Sequence, residues 1–267
     1  MPEISVLMGT YNEKNKEHVA QAVDSILNQT FTDLELIICD DGSKEEFYQW
    51  LKKYCRKDAR IRLLRNRKNR GLAVVLNKCF RCSRGRFVAR MDADDLSKKD
   101  RLLKQAAFLK EHGEYALVGC EAEMIGDDGV WGIRHMERVP QKTSFLSTSP
   151  FIHPSVMLRR EVLVRMRGYR VLPRTLRVED YDFFMRLYAA GYRGYNLPEA
   201  LFQYREDRRA YGKRKYRYRV NECWVRYQGF RALGILNGNL RYVAKPLAAG
   251  LIPGFVMSRL HGRHFAG

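Results

Sequence analysis

The first hundred residues alternate between two patterns. Short apolar runs at Ile4–Met8, Leu34–Cys39, Ile61–Leu64 and Phe87–Met91 read as buried strands. Between them, apolar residues recur at helical spacing. Val19, Ala22, Val23, Ile26 and Leu27 form one face, Phe47, Trp50, Leu51 and Tyr54 a second, and Leu72, Val75, Leu76, Cys79 and Phe80 a third. Strands alternating with amphipathic helices predict an α/β fold with a mostly parallel central sheet flanked by helices. Further on, Leu102, Leu103, Ala106, Phe108 and Leu109 predict a helix, Tyr115–Gly119 a strand and Met124–Ile133 a hairpin. Phe151–Leu158, FIHPSVML, predicts another strand, and Phe183, Phe184, Leu187 and Tyr188 mark the buried face of a helix.

Polar residues gather where the early strands end: Thr10–Glu13, Asp40 and Asp41, Asn69–Gly71, and Asp92–Asp95. In an open α/β sheet, ligands bind at the carboxyl ends of the strands. The stretch Phe87–Leu96, FVARMDADDL, carries the strongest signal. Residues two apart on an extended segment point the same way, so Asp92 and Asp94 can face one point. Two carboxylates brought together call for a cation, and a hard divalent ion carrying phosphate oxygens would serve. The plainer reading is an acidic turn, with Asp95 or Ser97 capping the next helix. Tyr11 offers a ring for stacking on a nucleobase, Asp40 a hydrogen-bond acceptor and Arg70 a phosphate contact. Against these, Tyr11 can be packing and Asp40–Gly42 a simple turn. No GxGxxG or GxxxxGK[ST] motif is present, so the dinucleotide and P-loop readings lack their signature.

Composition adds one departure from the ordinary. The formal net charge is +19, concentrated in Arg56–Arg70 and Arg205–Arg231, which calls for an anionic partner. No apolar run reaches the length of a transmembrane helix, and the N-terminus lacks the basic region of a secretory signal. The six cysteines have no disulfide-framework spacing; Cys79 and Cys82 read as helix neighbours, and a reducing cytoplasm is expected.

The motifs together are more specific than any one alone. ISVLMGTYNE, LELIICDDGS, NRGLAVVLNKCF, GRFVARMDADDL, FIHPSVMLRRE, VEDYDFFMRLYAAG and YNLPEALFQYRED occur in that order over about four-fifths of the chain. In this the sequence resembles family 2 glycosyltransferases of the GT-A fold, a Rossmann-like α/β architecture, and in particular the EpsE-type bacterial exopolysaccharide enzymes. The resemblance implies inverting transfer of a hexosyl or N-acetylhexosaminyl group from a nucleotide-diphosphate sugar, UDP-linked, to a lipid-linked saccharide acceptor. It implies Mn²⁺ or Mg²⁺ on Asp94 and Asp92, with Asp95 as a further ligand candidate. Thr10, Tyr11, Asn12, Glu13, Asp40, Arg70, Asp92, His153 and Glu179 are the nucleotide-sugar candidates. Asp180, at the position of the family's ED motif, is the expected general base, with Asp182 in reserve. By their place in the sequence, Glu179, Asp180 and Asp182 could also simply cap a helix N-terminus, and His153 could be structural.

The expected organisation is a nucleotide-sugar half over residues 1–98, an acceptor half over 99–204 and a helical tail over 205–267. The tail interleaves basic residues with Tyr211, Tyr216, Tyr218, Trp224 and Tyr227, ahead of the apolar stretch Pro246–Met257. That pattern suggests contact with an anionic membrane surface, hence a peripheral protein on the inner face of the cytoplasmic membrane. Nucleic-acid binding rests on charge alone and is set aside. The rival reading is a non-catalytic GT-A-fold interaction protein using its basic surface, which would have no need of the DADD and ED carboxylates.

Overall fold

The computed structural model describes residues 1–206 and 215–251. Each early apolar run is a strand: β1 (Ile4–Thr10), β2 (Leu34–Asp40), β3 (Ile61–Arg65) and β4 (Phe87–Asp92). The periodic segments between them are helices α1 (Lys16–Leu27), α2 (Glu45–Cys55) and α3 (Leu72–Cys82). A two-residue strand β5 (Leu96–Ser97) and helix α4 (Arg101–Glu111) lead to the hairpin of β6 (Leu117–Gly126) and β7 (Gly129–Arg134). Then come β8 (Met157–Arg159), α5 (Arg160–Arg165), α6 (Glu179–Ala189), β9 (Gly194–Arg205), α7 (Tyr216–Leu233) and α8 (Leu240–Leu251).

The strands form one sheet in the order β3-β2-β1-β4-β8-β6-β9-β5, with β7 hydrogen-bonded to β6 outside this path. β3, β2, β1 and β4 are mutually parallel. β8 runs antiparallel to both β4 and β6, β9 returns parallel to β6, and β5 is antiparallel to β9. The expected mostly parallel α/β sheet is therefore what the chain builds.

Alternation along β1 sorts the core. Ile4, Val6 and Met8 face one layer with α1, α2 and α4, whereas Leu7 faces the other with α3, α6 and α7. α7 belongs to this second layer: Val225, Phe230 and Leu233 are buried against it, and the buried Arg226 guanidinium donates to the carbonyls of Leu146 and Ser147.

One expectation changes. Phe151–Leu158 is not one strand; His153–Ser155 makes a 3₁₀ turn and only Met157–Arg159 pairs in the sheet. Pro154 has no N–H to give a ladder, and Ser155 N–H instead donates to Ile152 O. Pro246, read as part of an apolar stretch, lies inside α8, and residues 252–257 of that stretch fall outside those described, as do 207–214 of the basic segment. Among the described residues, no helix is long and apolar enough to cross a membrane.

Candidate active site

A cleft of about 430 Å³ opens at the carboxyl ends of β1 and β4. Register explains what meets there. Gly9 on β1 pairs with Asp92 on β4, and Thr10 pairs with Asp40 on β2, so three strand ends converge at one level. Gly9 is required by close approach, because a Cβ there would lie 2.8 Å from Val75 Cγ1 on α3. Of the residues singled out in the sequence, Thr10, Tyr11, Glu13, Asp92 and Glu179 line the cleft. Tyr11 is exposed, leaving its ring open to a ligand.

The remaining candidates lie around this cleft rather than in its wall. Asp40 is fully buried beneath it, accepting from Ser43 N–H at 3.2 Å and paired with Arg65 at 3.3 Å. Asp41 organises the loop after β3, accepting from Gly71 N–H and the Asn66 amide at 2.8 Å and from Arg70 N–H at 3.0 Å. Gly42 follows at φ +77°, and a Cβ there would strike the Lys68 backbone at 2.6 Å. Arg70 thus contributes its main chain to Asp41, and its side chain is exposed. Asn12, at φ 47°, links two loops: its N–H donates to Ser43 Oγ and its side chain accepts from Lys44 N–H, both at 2.8 Å. His153 is buried, its Nε2 2.8 Å from the Tyr169 hydroxyl and its ring edge-on to Phe184. Burial and the nearby Arg90 hold its imidazole well below the usual range, hence neutral.

Asp92, Asp94 and Asp95 each offer a carboxylate oxygen within 4.8 Å of the others. Their environments differ. Asp92 is partly open and paired with buried Arg90 at 2.5 Å. Asp94, beyond the end of β4, is the most open of the three, and burial, then the charge of Asp92, raise its carboxyl above the usual range. Asp95 is buried behind them, with one oxygen accepting from Arg205 N–H at 2.7 Å, and burial raises it well above the ordinary value. Glu13 faces the same group; burial first, then Asp94 and Asp92, raise it to about 7. An all-oxygen acidic set of this kind suits a hard divalent cation, whose charge would reverse these shifts.

The opposite wall is the start of α6. Glu179 is buried there, its carboxyl raised chiefly by burial, and Asp180 beside it is half-buried. Asp182 turns inward, where Arg186 at 2.8 Å and Arg170 at 3.3 Å hold it. Four buried oxygens around the cleft have no hydrogen-bond partner among the described residues: Thr10 Oγ1, Asp40 Oδ1, Asp95 Oδ2 and Glu179 Oε2. Two of them, Thr10 Oγ1 and Glu179 Oε2, belong to residues that line the opening, where a ligand or ion could satisfy them.

Three polar lining residues are not assigned to the site from sequence: Arg177, Arg217 and Tyr218, the last reading there as a membrane-facing aromatic. Arg177 sits at φ 69° just before α6. Arg217 donates to the Tyr218 hydroxyl at 2.8 Å from the first turn of α7. No local pattern announces them: Arg177 is turned to the cleft by the backbone ahead of α6, and Arg217 and Tyr218 reach it only through the packing of α7. A larger hollow of about 550 Å³, lined by Arg86, Arg159, Arg160 and Arg165, opens at the other end of β4. Glu161 is its one carboxylate, so it lacks the groups for cation binding or proton transfer shared by several strand ends.

The site is thus an acidic cleft at the strand ends of an α/β sheet, facing the carboxylates that begin a helix. Residues 5–176 match the sequence profile of Glycosyl transferase family 2, and the chain belongs to that family. It is 38% identical over 261 residues to EpsE of Bacillus subtilis (strain 168), a glycosyltransferase by name, covering 97% of this chain and 93% of that one. In fold it is similar to S. aureus TarS residues 1–349 in complex with UDP-GlcNAc, with a TM-score of 0.66 and 21% identity over 97% of this chain and 74% of that one. It is also similar to the mannosyltransferase PcManGT from Pyrobaculum calidifontis in complex with GDP-Man and Mn²⁺, with a TM-score of 0.63 and 20% identity over 98% of this chain and 80% of that one. These likenesses bear out the GT-A fold, and glycosyl transfer is the activity class that family membership indicates.

Proposed function

We propose that the protein transfers a hexosyl or N-acetylhexosaminyl group from a nucleotide-diphosphate sugar, UDP-linked, to a lipid-linked saccharide in extracellular or capsular polysaccharide synthesis. The observation that carries this is the Asp92, Asp94 and Asp95 carboxylate cluster beside a cleft lined by Asp92 on one side and by Glu179, next to Asp180, on the other, with Thr10 Oγ1 and Glu179 Oε2 lacking partners. UDP-GlcNAc on one fold relative and GDP-Man with Mn²⁺ on another support a nucleotide sugar and a divalent ion.

In this reading Tyr11 stacks on the base and Asp40 accepts from it at the floor of the cleft. Residues 1–98 hold the donor and 99–204 the acceptor. Asp94 and Asp92 hold Mn²⁺ or Mg²⁺, with the free oxygen of Asp95 behind them. When bound, the ion supplies Lewis-acid neutralisation of the diphosphate. Arg177 and Arg217 face the same diphosphate from the other side. Asp180 accepts the proton of the acceptor hydroxyl as its oxygen attacks the anomeric carbon opposite the departing diphosphate; a single displacement inverts the configuration. Asp182, already held by two arginines, keeps the α6 end in place. The protein works at the inner face of the cytoplasmic membrane, where such an acceptor resides.

The test is a donor screen with Mn²⁺, measuring nucleotide release from UDP-, GDP- and dTDP-sugars, alongside calorimetry of UDP on wild type and Asp94→Ala. One UDP-sugar should be turned over, and Asp94→Ala should lose the Mn²⁺-dependent part of UDP affinity. No release from any donor, or unchanged affinity in the variant, defeats the reading.

A further inference from the structure

The rim of the cleft carries an unusual surface. Residues 170–178, RVLPRTLRV, contain three arginines and no acid; residues 215–221, KYRYRVN, contain Lys215, Arg217 and Arg219 and no acid. The fold brings them together: the Asn221 amide donates to Pro173 O at 3.1 Å and Leu176 O at 3.2 Å, and the Arg174 guanidinium lies over the Trp224 ring. Large apolar side chains stand exposed among these charges. Val171 is 55% exposed, Leu172 45%, Tyr216 50% and Val220 48%. Leu176, Arg177 and Arg217 belong both to this surface and to the cleft wall, so the surface continues into the opening.

We infer that this surface is where the protein docks on an anionic lipid bilayer, holding the mouth of the cleft against the headgroups. The chemistry selects the occupant. Six basic residues, Arg170 among them ion-paired to Asp182 at 3.3 Å, match a negative surface. Exposed valine and leucine match an acyl boundary and have no use against a soluble polyanion such as RNA or an acidic polysaccharide. Tyrosine beside arginine suits the interface between the two. The inference rests on the membrane-bound acceptor proposed above and moves the contact from the tail as a whole to the 170–177 segment and the first turn of α7.

The experiment is co-sedimentation of the full chain with phosphatidylglycerol/phosphatidylcholine vesicles and with phosphatidylcholine alone. A charge-neutral double variant, Val171→Ser with Leu172→Ser, is compared with Val220→Ser on the other element; urea midpoint and UDP affinity serve as controls. Wild type should prefer the anionic vesicles, with binding falling as salt rises. The double variant should bind them about tenfold more weakly and Val220→Ser severalfold more weakly, with UDP affinity unchanged. Wild-type vesicle binding by both variants overturns the inference. So does equal binding of wild type to the two vesicle types, or avid heparin binding without vesicle binding. Nucleotide release, measured in parallel, separates the two readings. Transfer chemistry with patch-independent binding leaves the enzyme and removes the docking surface; patch-dependent binding without release from any donor does the reverse.

Discussion

Asp180 and Asp182 stand two residues apart in the first turn of α6 and meet different environments. Asp182 is buried between Arg170 and Arg186, both of which its carboxylate pairs with. Asp180 is half-buried and follows Glu179, which lines the cleft. Asp180→Asn keeps the shape and removes the basicity. It should leave donor affinity intact and lower transfer roughly 100-fold or more, the usual scale for loss of a general base. Loss of donor affinity instead would assign Asp180 to donor binding. Glu13 gives a pH prediction. Its folded pKa, about 7, lies above the ordinary 4.5, so over that interval the folded state keeps a proton that the unfolded chain releases. Raising pH therefore favours unfolding, and the metal-free protein should lose stability from about pH 4.5 to 7. Asp94, Asp95 and Glu179, also raised, act in the same direction. In urea titrations with chelator present, Glu13→Gln should have a flatter pH dependence than wild type. An identical slope would mean that Glu13 is not enclosed as described.

At the scale of elements, legibility followed locality. β1 to β4 and α1 to α3 were readable because each declares itself by a period of its own, and their strand ends carried Thr10, Tyr11, Glu13 and Asp92 into view. Phe151–Leu158 was misleading since its apolar run looks like a strand while Pro154 turns the chain within it. The role of α7 was hidden more deeply. Its basic and aromatic residues drew attention to its outer face, while the residues that anchor it, Val225, Phe230 and Leu233, are few and scattered among charges. The partners of those residues are distant in the chain, so nothing local could announce that Arg217 and Tyr218 reach the cleft. Placing α7 there has a measurable consequence. A charge-assisted hydrogen bond is worth about 1.5 kcal/mol or more, so Arg217→Ala should weaken UDP binding roughly tenfold. Arg231→Ala, in the last turn of the same helix, should not. Equal effects would point to bulk charge rather than a contact.

Across the whole molecule, a chain of net charge +19 places its most concentrated acidic group at the cleft, with arginines on the facing rim. Under the proposed function, this charge would draw an anionic donor at long range, leaving a cation to act only at the carboxylates. The arrangement depends on α7 as part of the domain, which the packing allows to be tested. Cutting the chain after Arg205 removes Val225, Phe230 and Leu233 from the layer shared with α6 and frees the carbonyls of Leu146 and Ser147 from Arg226. Full burial of such a side chain contributes about 1.5–3 kcal/mol, so three amount to roughly 5–9 kcal/mol. That is comparable with the entire stability of an ordinary domain, about 5–15 kcal/mol. Residues 1–205 alone should therefore show a broadened, low-temperature melt and bind a hydrophobic dye, and should not retain UDP affinity. A truncated chain that melts cooperatively near the full-length temperature would show that α7 is an appendage, and that the rim it supplies is dispensable to the fold.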